Sequence, residues 1–152
     1  MMTIKQITVQ QAQQQQASGA TYLDVRSIPE FRQGHAPGAV NVPLLHLDPQ
    51  TGQMQPNPAF LDVVKANVAP ETPVLVGCKM GGRSQKASEL LAAAGFQDVA
   101  NVQGGWGGAP QMGHTGWVQA GLPVERAADP AREYDALHKK AAGPSTGLGT
   151  GR

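Results

Sequence analysis

The chain is almost devoid of cysteine: of 152 residues only Cys78 carries a thiol. That excludes an internal disulfide, a C-x-x-C redox pair and a multi-thiolate zinc site. Long apolar runs are missing too. No window approaches the roughly 18 apolar residues that span a bilayer, and Met1 to Gln16 is polar and glutamine-rich where a signal peptide would be apolar. Nor is there an excess of charge of one sign: 12 basic and 11 acidic side chains are scattered along the chain, for a net charge of +1. Without a basic patch or stripe, neither nucleic acid nor a membrane surface is an expected partner. The four histidines, His35, His46, His114 and His138, lack the close spacing of a helical metal pair. The expectation is therefore no metal and no cofactor. What remains is a cytoplasmic globular protein with a small-molecule ligand, 40% apolar and long enough for one core.

Short apolar runs alternate with helix-forming stretches. Ile4 to Ile7 is predicted as an edge strand, and Thr8 as the N-cap of a helix reaching about Ser18, with Gly19 to end it. Tyr22 to Val25 is the next strand, followed by a short helix opened by Pro29. Ala39 to Val42 is a third strand, stopped by Pro43, and the proline, glycine and asparagine of Asp48 to Pro58 predict a loop. Phe60, Val63, Val64 and Val68 fall at helical spacing within 59–68. Pro73 to Gly77 is a continuous apolar run of the kind buried on both faces of a sheet. A helix over 84–94, a strand over 98–102, one helical turn over 117–120 and a final helix over 130–140 complete the pattern. Strands and helices in this alternation imply an α/β fold built on a parallel sheet covered on both faces.

The predicted buried strand runs straight into Cys78-Lys-Met-Gly-Gly-Arg83 and then a helix. Open α/β sheets bind ligands at that junction. Gly81 and Gly82 are free to adopt backbone angles closed to other residues, so several loop N–H groups are expected to face a ligand on the sulfur. The helix dipole, Lys79 and Arg83 all favour a thiolate, the nucleophilic form of cysteine. A lone cysteine is ordinarily a small buried hydrophobe. Two glycines, two cations and a helix start within six residues favour the chemical role here.

Three stretches, in order, resemble the rhodanese homology domain. They are Asp24-Val-Arg-Ser-Ile-Pro-Glu30 with Gly34-His35 and Gly38 to Pro43; Cys78 to Ser84; and Val102-Gln-Gly-Gly-Trp106 with Trp117 and Gly121 to Glu125. The resemblance covers about residues 4–126. It implies a five-stranded parallel sheet flanked by helices on both faces, and transfer of sulfane sulfur through a Cys78 persulfide. Carried over by position, Cys78 is the catalytic residue, and Lys79, Met80, Gly81, Gly82 and Arg83 complete the substrate cradle. The implied donor is a thiosulfate-like anion or a persulfide; the implied acceptor is cyanide, a small thiol or a partner protein's cysteine. Lys79 and Arg83 would offset the donor's negative end.

Other polar residues have simpler expected roles. Asp24, Arg26 and Glu30 are expected to form one ion-pair and hydrogen-bond cluster, and His35 a structural hydrogen bond. Trp106 and Trp117 are expected in the core or the pocket wall, and Gly104 to Gly108 in a close-packed turn beside the loop. The chain departs from the family between Gly105 and Trp117, where Gly107 to Gly116 form an insertion expected to lie near the cradle. The domain is expected over 1–126, a helical extension capping the sheet over 127–142, and a disordered tail over 143–152. Two rival functions share parts of this pattern: a cysteine phosphatase or arsenate reductase, whose loop is one residue longer, and a non-enzymatic sulfur-relay or binding module.

Overall fold

The computed structural model describes residues 4–127 and 129–142, so the expected tail lies outside the described residues. The chain begins with strand β1 (Lys5–Ile7) and helix α1 (Val9–Ala17). Thr8 caps α1 by accepting the Gln11 N–H, while the Gln11 side chain accepts the Thr8 N–H. Strand β2 (Thr21–Asp24), helix α2 (Ile28–Gln33) and a short β3 (Val40–Asn41) follow. Beyond β4 (Leu45–Leu47) and β5 (Met54–Pro56) come α3 (Phe60–Asn67), β6 (Val74–Gly77), α4 (Gly82–Ala93), β7 (Val99–Val102) and α5 (Tyr134–Ala142). Five strands pair in the order β1-β7-β6-β2-β3, every neighbouring pair parallel.

Alternate strand residues divide between two cores. Leu23, Val74, Val76 and Val99 face one side, where α3 and α4 supply Phe60, Val63, Val64, Ala87 and Leu91. Ile7, Tyr22, Leu75, Ala100 and Val102 face the other, against Val9, Ala12, Phe31 and Trp117. The central strand β6 is buried at every residue. Its continuous apolar run therefore follows from having helices or turns over both faces.

Two expectations are corrected. The loop predicted over Asp48 to Pro58 holds the turn and second strand of a two-stranded antiparallel hairpin, β4 (Leu45–Leu47) with β5 (Met54–Pro56). Gly52, at φ 72°, allows the turn that closes it, and its N–H donates to Asp48 O at 2.8 Å. Proline is tolerated because β5 has only one neighbouring strand. The final helix begins at Tyr134, after a separate 3₁₀ turn at Pro130–Arg132. It packs chiefly on α3: Tyr134 and Leu137 enter the core that α3 shares with one face of the sheet, and Asn67 Nδ2 donates to Leu137 O at 3.0 Å.

Candidate active site

Helix α4 begins at Gly82, earlier than its sequence suggests, so Gly82 and Arg83 belong to its first turn and only Cys78 to Gly81 form the loop proper. Gly81 is the N-cap, at φ 107°. A Cβ on it would stand 2.8 Å from Gln103 O, so both the backbone angle and the space demand glycine. This turn brings the Gly81 N–H to 3.1 Å from Cys78 Sγ. Among the described residues it is the loop amide that bonds the sulfur itself, where several were expected. Cys78 is otherwise enclosed, 2% exposed, but it lines the same open pocket as Lys79, Met80, Gly81, Gly82 and Arg83.

Behind the sulfur stands a chain of hydrogen bonds that the sequence reading did not identify. The Cys78 thiol donates to Ser84 Oγ at 3.3 Å. Ser84 Oγ lies 2.5 Å from Asn101 Oδ1 and 3.1 Å from Gly81 O, two acceptors for one hydroxyl proton. Asn101 Nδ2 donates to Gln6 Oε1 at 2.8 Å, and Gln6 Nε2 to Gln85 Oε1 at 2.7 Å, which orients each amide. When the thiol ionises, the Ser84 hydroxyl is in place to turn its proton toward the sulfur. The available signal was Asn101, a polar residue in the middle of an apolar strand run.

The charges pair differently from the expectation. Asp24 and Arg26 form a buried bidentate pair, and Arg26 also donates to Gly34 O and lies 4.8 Å over the Trp106 ring. Glu30 does not join them. It accepts both Arg83 Nη groups, at 2.8 and 3.1 Å, and the Ser27 N–H and hydroxyl. Arg83 is thus a neutralised wall residue, whereas Lys79 is exposed and takes part in no ion pair among the described residues. Burial disfavours the Glu30 carboxylate, but the Arg83 and Ser27 hydrogen bonds outweigh it and hold its pKa down at about 2. A depressed folded-state value gives stabilisation that is full above the ordinary carboxyl value of 4.5 and is lost as pH falls toward 2. Glu30→Gln is accordingly expected to cost about 1 kcal/mol at pH 7 for this part-exposed pair. The gap to wild type should close in urea midpoints measured at successively lower pH between those values.

His35 is buried with its ring nitrogens 2.7 Å from Phe31 O and 2.9 Å from Glu125 Oε1, a link between α2 and the chain beyond the sheet. Trp117 is in the core with its indole N–H donating to Pro123 O, and Trp106 packs at the edge of that core. The glycine string Gly104 to Gly108 lies against the cysteine loop: Trp106 N–H donates to Cys78 O at 2.7 Å and Gly107 N–H to Lys79 O at 2.9 Å. The insertion reaches the pocket as well, lining it with Ala109, Gln111, Met112 and His114.

A family model for the Rhodanese-like domain matches residues 8–108. Thiosulfate sulfurtransferase 16, chloroplastic, of Arabidopsis thaliana is 40% identical over 108 residues, covering 71% of this chain and 82% of its own. Thiosulfate sulfurtransferase GlpE of Pseudomonas savastanoi is 35% identical over 107 residues, covering 70% and 87% respectively. Among solved structures, that of Rv0390 from M. tuberculosis superposes with a TM-score of 0.69 at 28% identity, covering 83% of this chain and all of the other.

Proposed function

The chain belongs to the Rhodanese-like domain family, and on that premise we propose that it is a sulfurtransferase whose catalytic residue is Cys78. The observation that carries the reading is the placement of one sulfur at the end of the buried central strand, bonded by the Gly81 N–H and lining a pocket beside the exposed Lys79. The Cys78 thiolate attacks the outer, sulfane sulfur of thiosulfate. A new S–S bond forms to Cys78, the old one breaks, and sulfite leaves with its electron pair. Lys79 faces the anionic end of the donor. Arg83, held by Glu30, shapes the wall and does not meet that charge alone. Met80, Gly81 and Gly82 complete the surface around the outer sulfur. With no second cysteine in the chain to resolve the persulfide, an external cyanide or thiol collects the sulfur.

No helix among the described residues is long and apolar enough to cross a membrane. The free thiol of Cys78 suits a reducing compartment, and the cytoplasm is our reading for where the reaction runs. Against the phosphatase rival stand four residues between Cys78 and Arg83 and the engagement of that arginine by Glu30. The test is thiosulfate:cyanide transfer measured beside hydrolysis of an aryl phosphate. Thiocyanate is the expected product, and phosphate release without thiocyanate would contradict the proposal.

A further inference from the structure

The open pocket in front of Cys78 has a volume of about 850 Å³, within the range of roughly 300–1,000 Å³ that holds drug-sized ligands. Diatomic cyanide fills little of that space, and so does thiosulfate. The insertion supplies one wall, and it is held at its base. Trp106 and Gly107 donate to the carbonyls of Cys78 and Lys79, Gly108 N–H donates to Gly104 O at 2.8 Å, and Ala109 and His114 exchange backbone hydrogen bonds of 3.0 and 3.1 Å. Between those last two residues the 3₁₀ turn Pro110–Met112 brings Gln111 and Met112 to the rim, with Met112 71% exposed. Met80, 53% exposed, lines the same space. Thioethers adapt to irregular apolar ligand surfaces. The described lining contains no aspartate or glutamate; its amides are those of Gln6, Gln85 and Asn101, joined to one another, and of Gln103 and Gln111, and its cations are Arg83, held by Glu30, and Lys79.

Resting on the sulfurtransferase reading, we propose that the 107–116 segment selects the sulfur acceptor. The acceptor it favours is a peptide-sized thiol with amide groups and a free carboxylate, over smaller thiols and cyanide, and Gln111 and Met112 are the discriminating residues. The acceptor thiolate attacks the outer sulfur of the Cys78 persulfide. An S–S bond forms to the acceptor, the bond to Cys78 Sγ breaks, and its electron pair returns Cys78 to the thiolate. Oxidation state is conserved and no co-reactant is consumed. The body of the acceptor lies along the insertion, its amides meeting Gln103 and Gln111 and its carboxylate meeting Lys79.

The experiment uses the full chain with thiosulfate as donor and glutathione, 2-mercaptoethanol or cyanide as acceptor. Corrected for thiolate fraction, kcat/KM for glutathione should exceed that for 2-mercaptoethanol by about tenfold, a difference that pocket contacts can supply. In the double variant Gln111→Ala, Met112→Ala, both exposed positions, the ratio should fall to within about twofold of unity, through a higher KM for glutathione. Transfer to cyanide together with equal efficiency for the two thiols, or with a ratio that the variant leaves unchanged, would overturn this inference alone. Absence of transfer to every acceptor would overturn the sulfurtransferase reading and this inference with it.

Discussion

Cys78→Ser should lower thiosulfate:cyanide transfer by about three orders of magnitude or more, because the proposed covalent route through a persulfide would be removed outright. The protein should remain folded. Serine keeps an acceptor for the Gly81 N–H and a donor for Ser84 Oγ, and the loss of a buried, polarizable sulfur is expected to cost about 1–2 kcal/mol. Transfer by the variant, checked against its circular dichroism and urea midpoint, separates lost chemistry from lost structure. Retained turnover at even a tenth of the wild-type rate would be incompatible with Cys78 as the sulfur carrier.

Gly105→Ala is expected to cause the next largest loss without touching a reactive atom. Gly105 has φ 57°, and a Cβ there would stand 2.5 Å from Cys78 O and 2.8 Å from Lys79 O. Neither carbonyl is free to withdraw, since each accepts a backbone N–H from the same turn, Trp106 to Cys78 and Gly107 to Lys79. The turn must therefore move off the cysteine loop, and a displacement of about 1 Å near a reacting centre costs on the order of a hundredfold in rate. Steric overlap and left-handed strain together should lower stability by about 2–4 kcal/mol. Gly107→Ala provides the contrast. Its Cβ would meet the Lys79 side chain at 3.5 Å, an ordinary contact, so its rate should stay within about threefold of wild type.

The contrast shows where local sequence is informative. The run into Cys78 was legible because a strand buried on both faces leaves an unbroken apolar pattern, and Gly81 was legible because few residues adopt its backbone angle. The two-core arrangement follows from that same pattern. Pairings across the chain left no such trace. That Glu30 holds Arg83, 53 residues away, and not Arg26 depends on where α2 sits against α4. The Ser84–Asn101–Gln6–Gln85 chain joins β1, β7 and α4, elements distant in sequence that only the sheet order brings together. The β4–β5 hairpin was hidden by prolines and glycines that usually signal loop, since one isolated pair of short strands needs little β propensity. The insertion could be recognised as extra length near the loop, but its role as pocket wall depends on backbone contacts to Cys78 and Lys79.

Whether Cys78 stores sulfur as a persulfide is read from the intact mass of the protein after incubation with thiosulfate and removal of excess reagent. The wild-type chain should gain the mass of one sulfur atom, lose it on addition of cyanide or excess thiol, and show no gain as Cys78→Ser. A folded wild-type protein whose mass does not change, or a gain that persists in the variant, would contradict storage on Cys78.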